Sequence, residues 1–234
     1  MIIINNGPVS RRNIISISHG TNVEETGKFE EFNQKKVKDS SDIDKITIDS
    51  KFVDVHVLAS NSSKIQAHFY GEANIDGDVI FDVQVVNREL RITLKFTGIC
   101  VSGNLNLDVT VPHKMFEMIS LKSSSADFTL NEGVQTDYLK IETKSGDLET
   151  HATVNNVSIS TMSGDIDLYI NAEQNVSVEV STMSGDVSVE FSNIRHVNLS
   201  ASSMSGKVKN RHNGNRGFTA NVNISTMGGD IKIR

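Results

Sequence analysis

The sequence predicts an all-β protein: a parallel β-solenoid of stacked rungs, preceded by a less regular N-terminal β region. Two observations carry this. A five-residue phrase recurs, as T-M-S-G-D at 161–165 and 182–186, S-M-S-G-K at 203–207 and T-M-G-G-D at 226–230, with worn copies T-K-S-G-D at 143–147 and S-S-S-A-D at 123–127. Its fourth residues, Ala126, Gly146, Gly164, Gly185, Gly206 and Gly229, follow one another at 20, 18, 21, 21 and 23 residues. The copies are also flanked by alternating apolar residues, such as Val157 and Ile159 before Gly164 and Ile166, Leu168 and Ile170 after it. Self-similarity near twenty residues with strand-like flanks is what a coiled stack of strands requires.

Taken in order, residues 1–44 read as short strands (2–4 and 14–17) followed by a polar linker over 19–44, where Phe29, Phe32 and Val37 fall at roughly helical spacing. Residues 45–112 form an irregular β region in which Val, Ile, Phe and Thr alternate with polar residues and the breaks carry Gly, Asn, Asp and Ser. Pro112 closes it, because proline cannot donate to a central ladder. The regular rungs occupy 113–234.

Alternation sets the two faces of a rung. Around Gly164, the side chains of Val157, Ile159, Thr161, Ile166, Leu168 and Ile170 are expected inside; Ser158, Ser160, Met162, Asp165, Asp167 and Tyr169 are expected outside. The apolar phase slips by one residue across S-G-D, so a corner must absorb the extra residue. Glycine suits that corner because it adopts positive φ without penalty, and the aspartate after it can bond nearby backbone N–H groups. Gly146, Gly164, Gly185, Gly206 and Gly229, with Asp147, Asp165, Asp186 and Asp230, are therefore the expected structural corners, stacked at strand spacing.

The totals narrow the function. The 234-residue chain has a formal net charge of −6 and no long basic run, which argues against a nucleic-acid partner. The single cysteine, Cys100, allows no internal disulfide and reads as a buried small hydrophobe. The first residues do not form a signal peptide and no apolar run is long enough to span a membrane, so a cytoplasmic chain without direct membrane insertion is expected. No nucleophile elbow, phosphate loop or dinucleotide fingerprint is present, and no cofactor is implied. His56 and His68 lie on successive strands but lack a third ligand.

Two outward columns remain. The aspartates could hold calcium, or they could serve only as turn residues with no metal bound. Lys207 inside their column favours the turn role, and no metal site or catalytic residue is assigned. A polysaccharide-cleaving site would have to draw on Asp165, Asp186, Lys207 and Arg211. Met162, Met183, Met204 and Met227 form an apolar stripe at the outward phase, which is either covered by the chain itself or open to a partner.

The V-D-V-H-V strand at 53–57, the L-x-L-x-V-x-V-P segment at 105–112 and the S-G-D rungs together resemble the bacterial DUF4097 family of β-strand-repeat proteins, often labelled adhesins, over roughly residues 45–234. The resemblance implies a single-stranded, right-handed β-helix-like coil, a non-enzymatic structural or interaction role, and an association with the cell envelope. Polysaccharide binding or cleavage, and self-assembly into a scaffold, are the alternatives. Because Ile233 falls next to the last residue, Arg234, the final rung is expected to expose an uncapped edge. A second copy meeting it end to end, through Met227, Ile231 and Ile233, would make a homodimer.

Overall fold

The computed structural model describes residues 29–234, together with the backbone of two short strands nearer the start; side chains at 99–101 lie outside the described set, and with them the expected burial of Cys100. The strands expected at 2–4 and 14–17 also lie outside the described residues. The early strands are β1 (Asn5–Asn6), β2 (Arg11–Arg12), β3 (Phe29–Asp39), β4 (Lys45–Asp49), β5 (Asp54–Ser60), β6 (Lys64–Asp76), β7 (Val79–Val86), β8 (Glu89–Phe96) and β9 (Ile99–Pro112). The rungs beyond Pro112 are built from β10 (Met115–Lys122), β11 (Phe128–Leu130), β12 (Gln135–Glu142), β13 (Leu148–Ser160), β14 (Ile166–Asn171), β15 (Val176–Ser184), β16 (Val187–Ser192), β17 (Ile194–Ser203), β18 (Val208–Asn210), β19 (Phe218–Gly228) and β20 (Ile231–Ile233). Among the described residues there is no helix, and so none that could cross a membrane.

The stretch expected to be a linker contains a strand. β3 is 11 residues long and pairs antiparallel with β6 along its whole length, burying Phe32 against Phe69 at a ring-centroid distance of 5.3 Å. Exposure alternates along it, with Phe32 inward and Glu31, Asn33, Lys35, Val37 and Asp39 outward, a period of two that the spacing of Phe29, Phe32 and Val37 concealed.

Two sheets enclose one continuous core that runs from Phe32 to Ile233. The front sheet has the order β7-β8-β4-β10-β12-β13-β15-β19-β17. The back sheet has the order β3-β6-β9-β5-β11-β13-β14-β16-β20-β18, with β1 and β2 against β3. Strand β13 serves both, residues 148–152 in the back sheet and 153–160 in the front. From β8 and β9 onward every rung pairs in parallel with its neighbour within each sheet; the antiparallel pairs gather at the opposite end, among β3, β6, β7, β8 and β9. The expected faces hold: Val157, Ile159, Thr161, Ile166, Leu168 and Ile170 are buried, while Ser160, Met162, Asp165 and Asp167 are exposed.

Spatial order departs from chain order at both ends. β8 and β9 lie outside the earlier rung of β4 and β5. At the other end, β19 and β20 are inserted between the rung of β15 and β16 and that of β17 and β18. The expectation of a bare edge at Ile231 and Ile233 is therefore corrected. Both are 0% exposed, held between β16 and β18. The outermost rung is 194–210, and there the inward positions Val197, Leu199 and Ala201 are only partly buried and Val208 is 44% exposed.

Candidate functional site

The corner is the natural place to look for a site, since it repeats the same polar residues rung after rung. Glycine is required there for two reasons. At Gly185 φ is +121°, and a Cβ would stand 2.1 Å from the carbonyl oxygen of Gly164 in the rung below. The same contact links Gly164 to Gly146, Gly229 to Gly185 and Gly206 to Gly229, so the stacking order is 146, 164, 185, 229, 206. The corner glycines thus stack as expected, except that the last two exchange places.

The aspartates are occupied by the stack. One carboxylate oxygen of each accepts the backbone N–H of the equivalent residue in the next rung. Asp54 accepts from Asp127 (2.9 Å), Asp127 from Asp147 (2.8 Å), Asp147 from Asp165 (2.9 Å), Asp165 from Asp186 (2.8 Å), Asp186 from Asp230 (2.8 Å) and Asp230 from Lys207 (2.9 Å). The ladder explains Lys207, which interrupts the aspartates in sequence but ends them in space. On the outermost rung no further N–H arrives, so no carboxylate is needed. The first member, Asp54, was hidden in the sequence because its corner, S-K-F-V-D, lacks the glycine. The N–H of Asp230 and the ammonium of Lys232, 3.2 Å from its second oxygen, hold the Asp186 carboxyl below the usual carboxylate range.

A second ladder lies beside it. The hydroxyls of Thr143, Thr161, Thr182 and Thr226 each donate to the carbonyl two residues on, at 2.9–3.0 Å, closing the corner from inside. Asp165, Asp186, Lys207 and Arg211 do not converge: Asp230 stands between Asp186 and Lys207 in the stack. An open depression of about 310 Å³ is lined by Asp127, Asp147, Glu149, Asp165 and Asp167. Among the described residues no group of three or more His, Cys, Asp or Glu is gathered as a metal would need.

Sequence reasoning missed two arrangements. On the back sheet Asp108 lies in register between His56 and His68, keeping the two imidazoles apart. His68 stacks on Tyr70 at 4.6 Å and bonds Asn33; burial, then Lys35, lowers its pKa, with Asp108 opposing. Farther along, His151 stacks on Tyr169 at 4.3 Å with rings nearly parallel, beside a groove of about 660 Å³ that also includes Glu132, Glu173 and Glu190. His151 and Tyr169 are brought together by register between β13 and β14, which no local motif marks, whereas His68 and Tyr70 stand two residues apart on β6.

The methionine stripe is open. Met162, Met183, Met227 and Met204 follow one another across four rungs, the first three about half exposed and Met204 80% exposed. Covering by the chain itself, one of the two expectations, is not what the described residues do.

A search of curated proteins finds no match. Among solved structures, the chain is similar to a "putative cell adhesion protein" from Clostridium sporogenes, at 14% identity and a TM-score of 0.53, covering 86% of this chain and 99% of that one. It is also similar to a "putative adhesin" from Bacteroides fragilis, at 17% identity and a TM-score of 0.50, covering 86% and 96%. At such identities the likeness is one of fold. The model of the Toastrack DUF4097 family matches residues 43–233, nearly the whole described rung stack, and the chain belongs to that family.

Proposed function

We propose that this chain is a non-enzymatic, adhesin-like interaction module that works at the cell envelope, its solenoid coiled right-handed and its exposed methionine stripe forming part of the contact surface. The observation that carries the reading is the use already made of the repeated polar groups. Each ladder aspartate from Asp54 to Asp230 gives an oxygen to the next rung's N–H, and the threonine hydroxyls close their own corners. What the rungs leave for a partner is a long, regular outer surface with an apolar methionine column, a residue type that adapts to varied partners. The adhesion-related names of the two fold neighbours point the same way.

The second reading is a polysaccharide site in the groove beside His151 and Tyr169, favoured by that stacked aromatic pair and by Glu132, Glu173 and Glu190 around it. A panel of polysaccharides assayed for both binding and new reducing ends separates the two. The module reading expects no cleavage, and Asp165→Asn and Asp186→Asn to be felt in thermal stability alone. Cleavage that disappears in either variant would overturn it. Cleavage or binding lost on Tyr169→Ala would establish the groove instead.

A further inference from the structure

We propose that the outer edge of β17, on the outermost rung, receives an acidic, extended segment of a partner protein as an added strand. The inference rests on the reading of the chain as an interaction module and names the partner's chemistry.

The backbone supplies the first ground. Among the described residues β17 pairs only with β19, so one side of a 10-residue strand is open. Met204 donates its N–H to the carbonyl of Thr226 at 3.3 Å. In a parallel ladder donors and acceptors alternate sides. Ser202, Ser200 and Asn198 therefore face β19, while Val197, Leu199, Ala201 and Ser203 turn their N–H and C=O groups to the open side. Such an edge is a template for another strand. The second ground is apolar. Val197, Leu199 and Ala201 occupy the row that is fully buried one rung in, at Ala220, Val222 and Ile224, yet they remain partly exposed. An added strand would complete their cover.

Charge selects the occupant. Between Glu190 and Asp230 the sequence has no carboxylate, but it has Arg195, Lys207, Lys209, Arg211 and Arg216. All five belong to the outermost rung or the loop that follows it, and none forms an ion pair among the described residues. The aspartate ladder also stops at Lys207, whose position offers no carboxylate to a further rung. A second copy of this end would set five cations against five, which disfavours the end-to-end homodimer. The open edge at the other end of the front sheet, β7, carries only one carboxylate, Asp82, and is a poor complement. An incoming strand with its own Asp or Glu side chains satisfies the backbone and the apolar row directly and is drawn by the field of the cations, of which Arg195 lies on β17 and Lys207 at the corner after it. An anionic membrane or polyphosphate would answer only the cations.

The test uses the full chain and a labelled 10-residue peptide alternating Val with Asp, followed by fluorescence anisotropy. Binding should weaken with added salt, and should fall by at least roughly tenfold for the Lys207→Glu, Lys209→Glu, Arg211→Glu variant. The same peptide N-methylated at alternate residues keeps its charge but cannot pair, and should not bind. Amide exchange of the unaltered protein should slow at 197, 199, 201 and 203 when the peptide is added, which keeps the test independent of how the variant folds. The proposal is overturned if the N-methylated peptide binds equally well, if those amides stay unprotected, or if phosphatidylserine vesicles or polyphosphate bind this end and the peptide does not. Concentration-dependent dimers or filaments through β17 would overturn it too. None of these outcomes bears on the polysaccharide cleavage assay, so the edge and the module reading fail separately.

Discussion

At the scale of single residues, the corner glycines and one core threonine make opposite demands. Gly185 combines a positive φ with a carbonyl 2.1 Å from where a Cβ would stand, so Gly185→Ala should cost about 3 kcal/mol or more, read as a lowered urea midpoint. Gly228 has no such neighbour, its nearest being Ser205 Oγ at 3.6 Å, and serine holds the equivalent position at 163 and 184. Gly228→Ser should be tolerated within about 0.5 kcal/mol. Thr150 is the converse case. It lies in the core, in register between Leu130 and Leu168, and its hydroxyl has no hydrogen-bond partner. Removing an unsatisfied buried hydroxyl while keeping the shape should help. Thr150→Val is expected to raise stability by about 1 kcal/mol, visible in the same denaturation experiment.

At the scale of elements, the inserted rung decides which residues matter. Ile231 of β20 is completely buried between two rungs, so Ile231→Ala should cost about 3 kcal/mol through lost burial and the cavity left behind. Val208 pairs with Ile231 but lies on the outermost rung, and Val208→Ala should cost under about 1 kcal/mol. A larger cost at Val208 than at Ile231 would mean that the rungs stack in chain order after all. Sequence alone favoured chain order, because all copies of the corner phrase have nearly the same apolar flanks. The difference is in what one copy lacks: β17 places Val197, Leu199 and Ala201 where β15 places Val176, Val178 and Val180, and its corner ends in Lys207 rather than aspartate.

At the scale of the whole molecule, the aspartate ladder ties stability to acidity. The Asp186 carboxyl is depressed in the folded state by the Asp230 N–H and then by Lys232. Asp44, held by Arg88, and Asp39, bonded to the Ser41 N–H, are depressed as well. A carboxyl whose folded pKa lies below its unfolded value contributes stability that is present above that unfolded value, about 3.9 for aspartate. This contribution is lost as pH falls through the folded pKa. Urea midpoints should therefore decline below about pH 4, after a smaller decline from about pH 6.5, where the unfolded chain protonates His68 more readily than the folded one does. Asp186→Asn should make the decline below about pH 4 shallower, and an unchanged slope there would contradict the account.

The sequence by itself determined the all-β class, the period of the rungs, the inward and outward faces and the glycine corners. Each of these follows from residues near one another in the chain, through the two-residue alternation of a strand and the conformational freedom of glycine. Strand β3 escaped because its outward charges outnumber its buried residues, and its pairing with β6 is what identifies it. The order of the rungs and the identity of the open edge were decided only by tertiary structure. Parallel pairing between equivalent strands is nearly degenerate in local terms, so the choice rests on long-range burial and on which corner can do without a carboxylate. That choice buries Ile231 and Ile233, places Lys207 at the end of the aspartate ladder, and leaves the basic rung outermost.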